Sequence, residues 1–135
     1  MVAYNFQPRF VPLIRDGMKL QTIRGDRAAF GRHARPGDRL QLYYGQRTKG
    51  CIRIVPDPLC TVVLPIRITF ASGQIARIVT GGVPVRDLDM FAALDGFEDR
   101  ADMSAFWLEH HGAAEFNGVV IEWAMPREEQ GRIAA

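Results

Sequence analysis

Cysteine is scarce in this chain, with two residues among 135, Cys51 and Cys60. Neither belongs to a Cys-x-x-Cys pair or lies near a histidine at the spacing of zinc ligands, so the sequence predicts no structural metal site. We expect both to be buried or half-buried thiols in or beside strands. A disulfide between them is geometrically feasible, but a reducing compartment argues against it.

Long apolar segments are also lacking. No run reaches the roughly 18 apolar residues that a transmembrane helix requires, and residues 1–6 lack the charged-then-apolar pattern of a signal peptide. We therefore expect a cytoplasmic protein without a membrane partner. The sequence also contains no repeat, no low-complexity segment, no glycine-rich phosphate loop and no arrangement typical of a Ser-His-Asp triad.

The composition is that of one folded domain. Hydrophobic residues make up 47% of the chain and charged residues 24%, which is far from the composition of disordered proteins. A length of 135 residues fits a single core. We place the domain at residues 1–125 and interpret residues 126–135 as a polar C-terminal tail, because they lack apolar periodicity.

The apolar patterns predict strands before and after a pair of helices. Short connections without strand-helix-strand alternation indicate an α+β fold around a mainly antiparallel sheet. A small closed or half-closed β-barrel with flanking helices fits best, and an open sheet with helices on one face is the alternative. Asn117-Gly118 is interpreted as a turn and Asp102 as a helix cap. The predicted strands are 2–6, 20–24, 38–44, 60–70, 74–80 and 119–123, and the predicted helices are 8–16, 85–94 and 103–110.

Positive charge is concentrated in the first part of the chain. Between Arg9 and Arg53 there are eleven lysines and arginines against three aspartates, a surplus of eight, whereas acidic residues are prominent from residue 85 onward. Such polarity is typical of a protein that meets phosphates. Scattered, solvated arginines are the alternative interpretation.

A short motif follows the first predicted helix. Residues 17–24, Gly-Met-Lys-Leu-Gln-Thr-Ile-Arg, contain a glycine, a lysine two positions on, a threonine three further and an arginine after one spacer. This run resembles the signature of the ASCH family, in a compact single-domain bacterial or phage form. Further landmarks follow in the family's order, so that the resemblance spans about residues 4–124: 36–40, 42–49, 94–97 and 116–123.

ASCH domains resemble PUA domains. The resemblance therefore implies a PUA-like small β-barrel with a cleft between barrel and helices, and RNA or a modified nucleoside as the partner. In the branch that hydrolyses N4-acetylcytidine, the signature lysine and threonine act with a downstream carboxylate. Here the matching residues are Lys19 and Thr22, with Asp95 as the nearest carboxylate and Glu98 as a rival.

The residues themselves allow the same chemistry. Lys19 follows a helix-ending glycine, so we expect it to point into a cleft, where an ammonium pairs with phosphate or carbonyl oxygen and a desolvated amine acts as a base or nucleophile. Thr22 would then be a hydroxyl nucleophile and Asp95 the acid. The alternatives are an ordinary exposed lysine, a strand threonine without a task and an aspartate that only ends a helix. The sequence indicates no cofactor, and a divalent metal stays open.

A second set of residues is suited to RNA. Arg24 has a guanidinium for bidentate contact with phosphate, or for a structural ion pair with a carboxylate such as Asp95 or Asp38. The basic loop of residues 25–37 can track an RNA backbone. The alternation of the strand at 38–44 places Tyr44 in the core and leaves Tyr43 to stack on a base, with core packing of both as the alternative. We assign to RNA binding Arg24, Arg27, Arg32, Arg35, Tyr43, Arg47 and Lys49.

Other ring-bearing residues are not assigned to a site. The three histidines His33, His110 and His111 form none by spacing, and Trp107 and Trp123 are interpreted as core. Three functions stay open: a module that binds RNA or a modified nucleoside, a hydrolase (an N4-acetylcytidine amidohydrolase or a ribonuclease on single-stranded RNA), and an interaction protein independent of nucleic acid.

Overall fold

The computed structural model describes residues 2–25 and 32–125. The predicted tail at 126–135 and the predicted RNA-binding residue Arg27 lie outside this range. The strands are β1 (Val2–Phe6), β2 (Gln21–Arg24), β3 (Leu40–Tyr44), β4 (Ile52–Arg53), β5 (Leu59–Ala71), β6 (Gln74–Thr80), β7 (Val83–Pro84) and β8 (Phe116–Ala124), and the helices are α1 (Val11–Arg15), α2 (Leu88–Leu94) and α3 (Arg100–His111), with a 3-10 turn at Pro8–Phe10.

The smaller sheet has the order β1-β3-β4. Its first pair is parallel, with Tyr4 opposite Leu42 and Phe6 opposite Tyr44. Because strand side chains alternate between faces, Tyr4, Phe6 and Leu42 are buried together, and Tyr44 packs against them while half-buried. The prediction that Tyr44 and Tyr43 lie on opposite faces of β3 follows from the same alternation.

The larger sheet has the order β2-β8-β5-β6-β7, and all its pairs are antiparallel. The two β-branched segments that suggested a hairpin form β5 and β6. The register of β5 shifts at two places along its 13 residues, between Cys60 and Val62 and between Thr69 and Phe70. Such bulges bend a strand and allow a long one to wrap around a core.

The two sheets meet where β3 and β5 begin. Arg39 and Leu59 form an isolated bridge, the Leu40 amide donates to Pro58 O at 2.9 Å and the Cys60 amide donates to Asp38 O at 2.8 Å. The fold is thus mixed α+β with two sheets rich in antiparallel pairs, as the sequence indicated. The strands within residues 2–25 and 32–125 form no closed barrel, so the barrel stays a prediction.

Two of the predicted helix starts are wrong. Helix α2 begins at Leu88 rather than Val85, because the Asp87 carboxylate caps it by accepting from the Met90 amide. In α3 the cap is Asp99 rather than Asp102, and Asp102 instead accepts from the Arg9 guanidinium at 2.7 Å. Asp102 therefore joins two segments of the chain, and helix α3 is longer than its apolar pattern indicated.

Two further predictions need correction, and two short strands were not predicted. The Asn117-Gly118 pair lies inside β8 instead of forming a turn, and a Cβ on Gly118 would lie 2.2 Å from Arg24 O, so β2 and β8 can pair closely only because residue 118 is a glycine. Cys51 is exposed, although Cys60 is buried as expected. The strands β4 and β7 were not predicted, because a strand of two residues is too short to show an alternating pattern of apolar and polar side chains.

The core lies between the sheets and the helices. The most deeply buried side chains come from both sheets and from all three helices, and Trp107 and Trp123 are buried as predicted. Within residues 2–25 and 32–125, no helix has the length and apolar character needed to cross a membrane.

Candidate functional site

A cavity of about 200 Å³ opens between the helices and the strands β1 and β2. Its charged and hydroxyl side chains come from β2, from the segment before it and from the end of α2, and three of its ring-bearing side chains come from α3. The polar residues on which the chemistry depends are Lys19, Thr22, Arg24 and Asp95; Asn5 and Gln7 also line the cavity.

Lys19 is held in place by the end of α1 and the end of α2. The Lys19 amide donates to Leu13 O at 3.0 Å, and the next amide, of Leu20, donates to Leu94 O at 3.1 Å. Lys19 is 2% exposed, and its Nζ donates to the backbone oxygen of Asp95 at 2.5 Å and lies 3.6 Å from Asp95 Oδ1. The expectation that Lys19 points into a cleft is met.

Lys19 is buried among aromatic rings, and this burial lowers its pKa. Its Nζ lies 4.7 Å from the centre of the Phe10 ring and 5.7 Å from that of Phe6. Burial lowers the pKa of Lys19 to about 8; the Asp95 carboxylate opposes this shift and Arg24 adds to it. At pH 7 most of this amine is therefore still protonated, and the neutral fraction is about a tenth, far more than for an ordinary lysine.

Asp95 follows α2 and is 4% exposed. Gln21 Nε2 donates to Asp95 Oδ1 at 3.4 Å. Burial raises the pKa of Asp95, and the nearby Lys19 opposes that rise. Gly96, with φ +94°, then turns the chain so closely past Lys19 that a Cβ at residue 96 would lie 2.9 Å from Lys19 Cδ.

Thr22 and Arg24 lie two residues apart on β2 and therefore share a face. The Arg24 Nε donates to Thr22 Oγ1 at 3.0 Å, and Arg24 Nη2 donates to Asn5 O at 2.8 Å. The guanidinium also lies over the rings of Tyr4 and Phe6, at 5.2 and 4.9 Å. Thr22, 4% exposed, thus presents a buried hydroxyl whose oxygen already accepts a charged hydrogen bond.

The opposite wall was not assigned to a site from the sequence. Trp107 and His111, on successive turns of α3, stack with ring centres 4.2 Å apart, and both line the cavity. Burial lowers the pKa of His111, and the neighbouring His110 lowers it further. In the sequence, the spacing of four residues between Trp107 and His111 indicates that the two rings share a helix face. An apolar helical pattern by itself, however, predicts only core packing.

The structure brings the three predicted catalytic residues Lys19, Thr22 and Asp95 to one cavity. The hydroxyl of Thr22 bonds Arg24, and it is Lys19 that contacts Asp95. The rival Glu98 is exposed and lines a separate apolar groove with Leu13.

Of the predicted RNA-binding residues that the structure describes, Arg24 alone lines the cavity. Arg24 lies in the cavity, and Arg32 pairs with Asp38 at 2.9 Å. Tyr43 is half-buried on the face of β3 opposite Leu42. The remaining predicted cations in the described ranges are exposed: Arg35, Arg47 and Lys49.

In the described part of the chain, no three His, Cys, Asp or Glu side chains are grouped so that they could hold a metal ion. Comparison with models of protein families, with curated proteins and with solved structures returns no match for this chain.

Proposed function

We propose that this protein is a small amidohydrolase that removes an acyl group from the exocyclic amine of a nucleobase, with N4-acetylcytidine as the representative substrate. The observation that carries the proposal is the buried Thr22 hydroxyl, which accepts a hydrogen bond from Arg24 in the same cavity as a lysine with a pKa of about 8. A hydroxyl becomes a useful nucleophile when a neighbouring base can take its proton.

In the first half-reaction, Thr22 Oγ1 attacks the acyl carbonyl carbon while neutral Lys19 Nζ takes the hydroxyl proton. The Arg24 guanidinium, in contact with Oγ1, favours the developing negative charge. The bond between carbonyl carbon and nitrogen then breaks, and Lys19 returns its proton to the leaving nitrogen. Cytidine departs, and the acyl group stays on Thr22 as an ester.

In the second half-reaction, water attacks the ester carbonyl and Lys19 again accepts a proton. The proton passes to Oγ1 as the ester bond breaks, which restores Thr22 and releases acetate and one proton. Asp95 positions the amine through its backbone oxygen, and its carboxylate keeps the pKa of Lys19 from falling further.

The size and lining of the cavity support a nucleobase as the substrate. A volume of about 200 Å³ between aromatic rings suits one planar ring with a small substituent rather than an extended strand. The resemblance of residues 17–24 to the ASCH signature supports the same substrate class. We also propose that the two sheets are the halves of a PUA-like pseudobarrel, supported by the seam between Arg39 and Leu59.

The proposal is tested by incubating the protein with N4-acetylcytidine and measuring released cytidine by chromatography. We expect turnover by the wild type and a loss of at least about a hundredfold in Thr22→Val, which keeps the shape of the side chain but has no hydroxyl. Thr22→Ser should retain part of the activity. Thr61→Val serves as the matched control, because Thr61 is an exposed strand threonine outside the cavity.

Two outcomes would reject this function. One is the absence of cytidine release by the wild type, with and without a divalent metal. The other is undiminished release by Thr22→Val. Labelled single-stranded RNA in parallel reactions tests the ribonuclease alternative directly.

A second candidate function, RNA binding without chemistry, is favoured by a different observation. Arg35, Arg47 and Lys49 are exposed and lie in the basic part of the chain. Exposed cations of this kind contact phosphates without regard to sequence. The two functions are compatible, because these residues do not line the cavity.

A further inference from the structure

His111 is the last residue of α3 and lies at the mouth of the cavity. It lines the cavity together with Lys19, Thr22 and Asp95, but those three residues are buried, whereas His111 is exposed. The reacting groups are therefore at the closed end of the cavity and His111 is at its open end. Because the imidazole is exposed, a ligand bound in the cavity can touch it.

The imidazole of His111 is held by neighbouring rings, and its nitrogen atoms stay available. Trp107 stacks on it with ring centres 4.2 Å apart, and Phe116 lies at a tilt with ring centres 5.6 Å apart. Neither nitrogen has a hydrogen-bond partner among the residues that the structure describes. Burial lowers the pKa of His111, which favours the neutral ring, and a neutral imidazole has one donor and one acceptor. His111 thus presents both groups from a fixed position, as a selective binding site requires.

The shape of an N4-acylated cytidine determines which part of it meets His111. In this nucleoside the acylated amine is on C4 of the base and the sugar is on N1, at opposite ends of the ring. When the acyl carbon lies next to Thr22 Oγ1 at the closed end, N1 is directed towards the open end. A cavity of about 200 Å³ holds the base, so the ribose lies at the mouth beside His111.

We infer that His111 forms hydrogen bonds with the ribose hydroxyls of the substrate, which makes it a specificity-determining residue for ribonucleosides. The inference rests on the proposed function, because that function supplies the base and its orientation in the cavity. Ribose has two neighbouring hydroxyls that each donate and accept, so they match the donor and the acceptor of a neutral imidazole. These hydroxyls are remote from the acyl group, so the contact contributes to binding rather than to the chemical step.

N4-acetylcytidine and N4-acetyl-2′,3′-dideoxycytidine are the probes, since they differ only in these two hydroxyls. The deacetylated nucleoside is measured by chromatography at about pH 8.5, where the imidazole is neutral. We expect the wild type to have a kcat/KM about tenfold higher for N4-acetylcytidine, the effect of one hydrogen bond, with the difference in KM. In His111→Phe, which keeps a ring for Trp107 but has no nitrogen, the two values of kcat/KM should be equal.

His110→Phe is the matched control. His110 is also exposed, but its ring contacts Phe106 with ring centres 4.3 Å apart and does not line the cavity, so the preference for N4-acetylcytidine should persist in this variant. The dideoxy probe should be hydrolysed equally by the wild type and His111→Phe, which separates a loss of selectivity from a loss of fold. His111→Leu is a second variant without ring nitrogens and should behave like His111→Phe.

Equal kcat/KM of the wild type for the two probes overturns the inference. A preference that survives in both variants of His111, or that is lost equally in His110→Phe, overturns it as well. These outcomes reject the role of His111 alone, because each of them includes turnover by the wild type. Absent turnover of both probes by the wild type rejects the proposed function instead.

Discussion

At the scale of single residues, the chemistry of the cavity depends on the protonation of one amine. Lys19 is enclosed by Phe6, Phe10 and the end of α2, with a carboxylate on one side and the Arg24 guanidinium on another. Burial outweighs the carboxylate, so the pKa of Lys19 falls to about 8 from an ordinary value of 10.5. A small change of pH near neutrality therefore changes the fraction of molecules with a base in the cavity.

We predict that kcat/KM for N4-acetylcytidine rises with pH and levels off above about pH 8, because the neutral amine is the active form. Below that pH, the slope should approach tenfold per unit. Lys19→Arg should lose both the activity and its increase with pH, since a guanidinium stays protonated over this whole pH range. The measurement is a pH–rate profile between about pH 6 and pH 10, with Lys19→Met as the uncharged control. A flat profile for the wild type would show that Lys19 is not the base.

The two residues of the motif that were assigned to catalysis could be identified from the sequence because they are close together in the chain. Lys19 and Thr22 follow a glycine at fixed spacing, and their placement depends on a short strand. Asp95 was proposed as the nearest match to the carboxylate that the family resemblance implies, and its side chain reaches the cavity because α2 docks on residue 20. Trp107 could not be recognised as part of the site, since a buried tryptophan on an apolar helix face is usually core.

At the scale of elements, the connection between α2 and α3 controls the shape of the cavity. Gly96 has φ +94°, a left-handed conformation that favours glycine, and it lies against both Lys19 and Phe10. A methyl group at this position meets Phe10 Cδ1 at 3.0 Å and Lys19 Cδ at 2.9 Å. The chain thus has two independent reasons for glycine here.

We predict that Gly96→Ala lowers the free energy of unfolding more than Gly82→Ala. Gly82 has φ +82°, and a Cβ at residue 82 would have nothing within 4 Å, so its variant isolates the backbone cost of roughly 1–2 kcal/mol. Gly96→Ala should lose a further ~1–3 kcal/mol from overpacking and should also reduce turnover by displacing Lys19. Urea unfolding of both variants checks the difference. Equal losses would mean that Lys19 and Phe10 move aside without cost.

Elements with a strong local pattern were predictable, and pairings between distant segments were not. The hairpin of β5 and β6 follows from β-branched runs on either side of a glycine turn. The parallel pairing of β1 with β3 joins segments separated by another strand and a helix, which no local pattern encodes. Asn117-Gly118 was wrongly interpreted as a turn for a related reason. Residue 118 is a glycine because β2 approaches it closely.

At the scale of the whole molecule, positive charge and the cavity belong to the same part of the chain but to different surfaces. Lys19 is buried and Arg24 half-buried in the cavity, whereas Arg35, Arg47 and Lys49 are exposed. The positively charged residues are therefore divided between the cavity and the exposed surface. Only the surface cations should respond strongly to added salt.

We predict that any affinity for single-stranded RNA falls as salt increases, and that Arg47→Ala with Lys49→Ala lessens this dependence by about 0.7 in the logarithmic slope for each lost phosphate contact. Filter binding over a salt series measures the slope. Arg86→Ala with Arg100→Ala removes the same charge from the acidic part of the chain and should leave the slope unchanged. Equal effects of both pairs would indicate attraction by net charge alone.

The position of β8 in the larger sheet governs when the site can form during synthesis. β8 is the last strand of the described chain, yet it lies between β2 and β5. Until residues 116–124 have left the ribosome, β2 has no neighbouring strand in that sheet, so Thr22 and Arg24 emerge early while the strand that aligns them is made last. Formation of the site thus waits for β8, and a nascent chain stalled before β8 should carry the complete motif without the cavity.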